Sequence, residues 1–267
     1  MCYSAMVEAD LEVLESEFQA KAVRDAFNAY HKFIEIDAKS YPPISKSVRI
    51  YPQYYAPIIH PVSNEKIISP MRYSAFPPIY MTNTKQLTTY NARKDSLMKK
   101  FWSEARQNPG IVVLKEFYEW VKVKDLLDAK IISLDEVKEQ FERQANERKQ
   151  RWIESGKDIK KFKPSKTELT DPRFRKIIIS FFPKSGRNLV VPVIFNHRFD
   201  DYPFPGFAII TDEPNEEISR AGHNRMPLHL PPELVEEWLN PHHKFVEKME
   251  ILTQSSQSEY FQVALAA

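Results

Sequence analysis

An α+β fold in one domain is the architecture this sequence predicts, and three features predict it. Segments of helical and of strand periodicity are mixed along 267 residues without strict alternation, a pattern of helices set beside a mixed sheet rather than of a doubly wound one. Twenty prolines divide the chain into short pieces, which favours irregular connections over long uninterrupted sheets. A hydrophobic share of 42% over this length suffices for one substantial core.

Taken in order, the apolar residues of 9–36 fall at helical spacing. Leu11, Leu14 and Phe18 form one stripe, and Val23, Phe27, Tyr30 and Ile34 a second. The step from Phe18 to Val23 breaks the phase, so two helices or one bent helix are expected. Residues 50–80, rich in Tyr, Ile and Pro, read as short strands and loops. Asn91 stands where it would cap a helix through Leu97, Phe101 and Trp102, ending at Asn108-Pro109-Gly110. The strongest strand signal, 111–123, follows. Ser133-Leu134-Asp135-Glu136 reads as a capping box opening a charged helix that ends near Gly156. Its few apolar anchors, Leu134, Val137, Phe141 and Trp152, place it on the surface. A polar, basic loop spans 157–172. Strands are expected at 176–182, 189–195 and 206–211, the first two joined by a turn at Lys184-Ser185-Gly186. Pro231-Pro232-Glu233 opens a short helix through Trp238, halted by Asn240-Pro241. Strands around 249–252 and 260–263 finish the chain.

Composition excludes several classes of function. A net charge of +2 announces no nucleic-acid binder by itself, although a local basic patch can act inside a nearly neutral chain. With five glycines, and neither GxGxxG nor GxxxxGK[ST], no phosphate cradle of those types is expected. No G-x-S-x-G element points to a serine hydrolase. One cysteine cannot form an internal disulfide, which fits a reducing compartment. No apolar run approaches the roughly 20 residues of a membrane span, and no basic-then-apolar segment suggests secretion. A cytoplasmic, monomeric protein is the expectation. His229, His242 and His243 lie near His223 in sequence, but their spacing matches no zinc pattern, so neither a metal nor another cofactor is expected.

Four positions carry chemistry. Removal of Met1 would leave Cys2 with an α-amine and a thiol on one carbon frame. Such a 1,2-aminothiol reacts with aldehydes: the amine forms a Schiff base and the thiol closes onto it as a thiazolidine, the second step gaining from proximity. The bland reading of Cys2 is a frayed thiol. Glu119 lies within Glu116-Phe117-Tyr118-Glu119-Trp120, and period-two alternation puts it on the face shared by Val113, Phe117 and Val121. A carboxylate among apolar neighbours suits general acid–base work, or is simply a structural partner of an arginine. His223, in Ala221-Gly222-His223-Asn224-Arg225-Met226-Pro227, follows a strand, where loops present functional groups. It is a proton shuttle or an ordinary hydrogen-bonded histidine. Asn91 and Arg93 occur in Tyr90-Asn91-Ala92-Arg93, where Asn91 could be a helix cap, a site residue or both.

In their order, Met1-Cys2, Tyr90-Asn91-Ala92-Arg93, Glu116-Phe117-Tyr118-Glu119-Trp120 and His223-Asn224-Arg225-Met226-Pro227 resemble the motif series of the SRAP family (SOS-response-associated peptidase, or abasic-site processing proteins). Tyr54-Tyr55-Ala56-Pro57, Pro70-Met71-Arg72-Tyr73, Phe207-Ala208-Ile209-Ile210-Thr211 and Glu237-Trp238-Leu239-Asn240-Pro241 extend the likeness from residue 2 to about 241. The resemblance implies a single domain with a curled, barrel-like mixed sheet and peripheral helices, those at 8–36 and 134–155 being elaborations. It implies covalent capture of abasic sites in single-stranded DNA during the DNA damage response, with lyase and Met1-removing activities in prospect and a nucleoid location when bound. Cys2 would be the nucleophile toward the sugar aldehyde, Asn91 would orient it, and Glu119 and His223 would move protons. Arg72, Arg93 and Arg225 would contact DNA, and Pro57, Met71 and Tyr73 would pack against bases. The chain departs from the family's Cys-Gly-Arg start with Cys2-Tyr3-Ser4, losing a cation, and places Glu116 where glycine is common. Two alternatives use the same residues: an N-terminal-nucleophile cysteine peptidase or amidohydrolase, and an inert single-stranded DNA-binding module.

Overall fold

β-Branched and aromatic runs dictate most of the sheet. The computed structural model of the chain describes residues 4–38, 41–42, 44, 49–76, 89–197, 203–255 and 261–266. Its strands are β1 (Ser4–Val7), β2 (Lys21–Ala22), β3 (Arg49–Ile50), β4 (Tyr55–Val62), β5 (Glu65–Tyr73), β6 (Asn91–Arg93), β7 (Pro109–Lys122), β8 (Lys176–Pro183), β9 (Leu189–Asn196), β10 (Gly206–Asp212), β11 (Met226–Pro227) and β12 (Phe261–Leu265). The helices are α1 (Leu11–Phe18), α2 (Arg24–Asp37), α3 (Val123–Asp128), α4 (Leu134–Glu154), α5 (Glu216–Arg220), α6 (Pro232–Leu239) and α7 (Phe245–Gln254).

The strands form one mixed sheet of twelve among the described residues. Five of them close a ring. β7 pairs with β4, β4 with β5, β5 with β10 in parallel, β10 with β9, and β9 again with β7. This is the α+β class that the sequence predicts with the curled core that the resemblance implies, and the side chains of the ring cover both of its faces. Neighbouring residues alternate between two apolar clusters: Ile58, Val112, Val191 and Ile209 belong to one, and Ile59, Val113, Val190 and Ile210 to the other. The second cluster takes its cover from α1, α2, α6 and α7 through Leu14, Phe27, Trp238 and Ile251. A sheet buried on both faces reads as continuous apolar text, as Leu189–Asn196 does, where every residue is buried. Trp238 anchors α6 by donating its indole N–H to the Gly110 carbonyl at 2.8 Å.

β7 is the spine. One edge meets β4 and β1, and the other meets β9 along its first half and β8 along its second. β8 and β9 therefore lie end to end along β7, and the turn at Lys184-Ser185-Gly186 joins them without making them a hairpin. The 9–36 segment is two helices with the short strand β2 between them, as the phase break predicts. The capping box of α4 is present, with Ser133 Oγ accepting from Glu136 N at 3.2 Å and Glu136 Oε2 accepting from Ser133 N at 2.7 Å.

Two expectations are corrected. Asn91 does not cap a helix: it lies in β6, paired in parallel with Ile209 of β10, and three short 3-10 turns occupy 94–107. Satisfying the backbone through β10 competes with a cap, and from the 3-10 turns Leu97 and Trp102 reach the core while Phe101 stays exposed. Residues 249–252 are the C-terminal half of α7, not a strand. Leu252, Ile251 and Phe245 share its buried face at helical spacing, and a four-residue apolar window is too short to reveal that period.

Candidate active site

Glu119 sits where a bulge in β7 has changed the strand's phase. β1 pairs Met6 with Glu116 but Val7 with Leu114, so Lys115 is an extra residue on β7. Beyond it Phe117 and Val121 join the cluster that holds Val112 and Leu114, whereas Val113 lies in the opposite one. The expectation that Glu119 shares a face with Val113 is thus corrected; the bulge puts it with Val112 and Leu114. Its side chain is 3% exposed.

His223 reaches that carboxylate from the loop after α5. Asn215 caps α5 by accepting from Ile218 N at 3.1 Å, and the helix ends in a left-handed Gly222 at φ +82°. A Cβ at Gly222 would lie 2.7 Å from Asp125 Cβ, so the loop is seated against α3, which continues directly from β7. Strand and loop are therefore held as one unit, and His223 Nε2 stands 3.1 Å from Glu119 Oε2. The other ring nitrogen, Nδ1, lies 2.7 Å from the Arg225 carbonyl oxygen. A carbonyl only accepts, so Nδ1 carries a proton. An ionised carboxylate facing a bare Nε2 would set two acceptors together. The pair consequently holds one further proton, on the ring or on the carboxyl group, and either arrangement is a charge-assisted or acid–base hydrogen bond. With its side chain 12% exposed, His223 is the solvent-side member.

Asn91 and Tyr73 form the second part. Tyr73 is enclosed, stacked on Phe207 with centroids 5.2 Å apart and edge-on to Tyr90 at 5.5 Å. Its hydroxyl donates to Asn91 Oδ1 at 3.3 Å. β6 and β11 flank β10 on either side of Thr211, which is registered with both Arg93 and Pro227. That places Arg93 and Arg225 in one ionic cluster. Arg93 makes a two-point contact with Asp95 (Nε–Oδ1 3.0 Å, Nη2–Oδ2 2.5 Å), Arg225 meets the same Asp95 at 3.5 Å, and Glu213 meets Arg225 at 3.0 Å.

Of the residues singled out in the sequence, Glu119 and His223 are in contact, Asn91 and Tyr73 are in contact, and Arg93 and Arg225 share a carboxylate. Cys2 lies outside the described residues. Met71 and Tyr73 are fully buried, and Pro57 and Arg72 are buried as well. Packing of Pro57, Met71 and Tyr73 against bases is corrected accordingly: all three are buried in the ring, where β4 and β5 pair with each other and β5 runs on to β10. Only Arg93 among the DNA-contact candidates has a largely exposed side chain, at 49%.

Sequence reasoning missed Arg49. Its Nε donates to Ser4 Oγ at 2.6 Å, and its guanidinium carbon lies 3.5 Å from the centre of the Tyr118 ring. Among the described residues it meets no carboxylate. Tyr118 donates to Glu116, and burial together with that carboxylate raises its hydroxyl pKa, keeping it protonated. An arginine so far from its neighbours in sequence gives no local signal; only the β1–β3 pairing reveals it.

A family model described as SOS response associated peptidase (SRAP) matches residues 1–265. The chain belongs to the SRAP family. Solved structures share the SRAP protein's fold at low identity. One, from Bacteroides thetaiotaomicron, has a TM-score of 0.58 at 15% identity, covering 100% of this chain and 92% of its own. Another, from Bordetella bronchiseptica, has 0.57 at 14%, covering 100% of both chains. A phage-related protein from Bordetella bronchiseptica has 0.56 at 15%, covering 99% and 94%. No curated protein matches the SRAP chain. No helix of its described residues is long and apolar enough to cross a membrane, and no group of three or more His, Cys, Asp or Glu among them could hold a metal ion.

Proposed function

We propose that this SRAP protein captures abasic sites in single-stranded DNA through Cys2, after Met1 is removed, as a thiazolidine. The carrying observation is the buried Glu119–His223 pair, 3.1 Å apart, at the end of β7 where β1 begins. Ser4 is registered with Tyr118, the neighbour of Glu119. Cys2 is tethered to Ser4 through one residue, about 7 Å of extended chain at most. The tether supports a reaction in which the amine and thiol of Cys2 work beside this pair.

The chemistry needs what the pair offers. The α-amine of Cys2 attacks the aldehyde carbon of the ring-opened sugar, and the carbinolamine hydroxyl leaves as water, taking one proton. The thiol sulfur then bonds to the imine carbon while the imine nitrogen receives a proton, so the net change is addition of DNA and loss of one water. A group that gives a proton to the departing oxygen and takes one from the amine or thiol accelerates each step, typically by 10²–10⁴. Glu119 and His223, already sharing a proton, suit that exchange. Asn91, held by Tyr73, would orient the N-terminal residue. Arg49 against Ser4 supports the reading further, since it brings a guanidinium back to the strand that lacks one at position 4 of the sequence.

The test is incubation with single-stranded DNA bearing one abasic site, followed by a denaturing gel. A heat-stable product that Cys2→Ala abolishes is expected. Turnover of peptide or amide substrates with Cys2 left free, and no such product, would favour the hydrolase reading instead.

A further inference from the structure

Eleven Lys and Arg stand against four Asp and Glu between residues 148 and 176, a surplus of seven in a chain whose net charge is +2. The rest of the molecule is therefore net −5, and the positive charge is local. The C-terminal half of α4 and the segment that follows it carry this charge on the surface. Only two of the eleven cations meet a carboxylate within 4 Å among the described residues: Arg148 with Glu168, and Arg173 with Asp171. Lys149, Arg151, Lys157, Lys160, Lys161 and Lys166 are exposed and meet none.

The segment has a built shape. Arg148 holds Glu168 through Nε at 2.9 Å and the Lys163 carbonyl through Nη2 at 3.1 Å, while Trp152 donates to the Asp158 carbonyl at 3.1 Å. These contacts fold the loop back onto α4 and leave its lysines outward. Leu169 and Phe174, 74% and 75% exposed, lie among them. Basic side chains interleaved with exposed apolar and aromatic ones are what the phosphates and bases of a single strand meet on a binding surface. The surface is joined to the site: Arg175 O accepts from Val123 N at 3.0 Å and Lys176 is registered with Lys122. Val123 is four residues along from Glu119, roughly 13 Å at about 3.3 Å per strand residue.

We propose that the C-terminal half of α4 and residues 157–176 form a second contact surface for single-stranded DNA, holding the phosphates of the strand beyond the lesion. The surface extends the capture reading and rests on it for the identity of the polyanion. An extended strand entering beside Glu119 and following β7 reaches the Arg175–Lys176 end of this surface, where Val123 and Lys122 meet it.

The test is a variant with Lys157→Gln, Lys160→Gln, Lys161→Gln and Lys166→Gln, all exposed, checked for unchanged melting. Reversible binding of a long unlesioned single strand is followed against salt, beside a short strand carrying one abasic site and vesicles containing phosphatidylserine. The expected result is a log–log salt slope shallower by about 3, since each single-strand phosphate contact contributes roughly 0.7, with affinity at low salt down by about tenfold or more. The rate of adduct formation with the short strand stays that of the parent. Equal slopes for variant and parent overturn the surface, as does a loss confined to the vesicles. Because the long strand carries no lesion, a missing adduct beside a changed slope defeats the capture chemistry alone.

Discussion

At the scale of single residues, the proposed chemistry turns on the proton shared by Glu119 and His223. Glu119→Gln keeps the shape of the side chain but cannot carry the proton, and should slow single-turnover adduct formation by about 10²-fold. His223→Ala should slow it less, since the buried carboxyl group remains. Because the two act as one unit, the double variant should be close to Glu119→Gln alone. A loss equal, in logarithmic terms, to the sum of the two single losses would show that they act separately. The types of these residues and their flanking motifs were legible in the sequence. Their contact was not, because it joins a strand to a loop far along the chain and depends on the Lys115 bulge, which shifts the phase without altering composition. Arg49 was invisible for a related reason: its partners, Ser4 and Tyr118, are brought to it by strand pairing. Removing it as Arg49→Ala should weaken noncovalent DNA affinity while leaving the rate at saturating DNA near that of the parent, measured by varying DNA concentration in the adduct assay.

Among the elements, the α5–His223 loop and α4 make opposite claims. Gly222 is left-handed and lies against Asp125, so Gly222→Ala strains the backbone and drives a methyl group into α3. The expected outcome is a loss of about 1–3 kcal/mol in unfolding free energy together with slower adduct formation, as His223 leaves Glu119. Ser133→Ala removes the cap of α4, and urea unfolding should show about 1 kcal/mol lost, with adduct formation unchanged. Equal effects of the two changes on chemistry would mean that α4 supports the site after all. Elements with strong local signals were readable: the capping box of α4, the proline-led start of α6 and the apolar runs of β7 to β10. Those fixed by distant pairing were misread, β6 above all, since the three residues Asn91–Arg93 become a strand only because β10 lies beside them. α7 failed differently, its apolar positions sampled over too short a window.

For the molecule as a whole, the closed ring ties the site to global stability, and His60 exposes that link to pH. It is buried on β4, with Nε2 3.1 Å from Ser69 Oγ and its ring 5.0 Å from that of Phe195. Burial, the largest influence, lowers its pKa to about 4. The unfolded chain takes up this proton below about 6.5 and the folded chain only below about 4, so stability falls as pH drops through that window. The loss reaches about 3 kcal/mol at its acid end. His60→Gln should flatten this limb of the stability curve in urea titrations between pH 7 and 4.5; an unchanged limb would assign the acid sensitivity to other groups. The α+β class and the curl were legible at this scale, from interspersed periods and family motifs respectively. The order of pairing in the ring was not, since strands that neighbour one another in space, such as β5 and β10, are separated in sequence.

The most direct test of the central claim is intact-mass analysis of the product formed with an abasic single strand in the absence of any reductant. The expected product has the mass of the chain without Met1, plus the DNA, minus one water, with fragmentation placing the DNA on Cys2. A product that retains Met1, that needs borohydride to survive, or that maps to a lysine would contradict it.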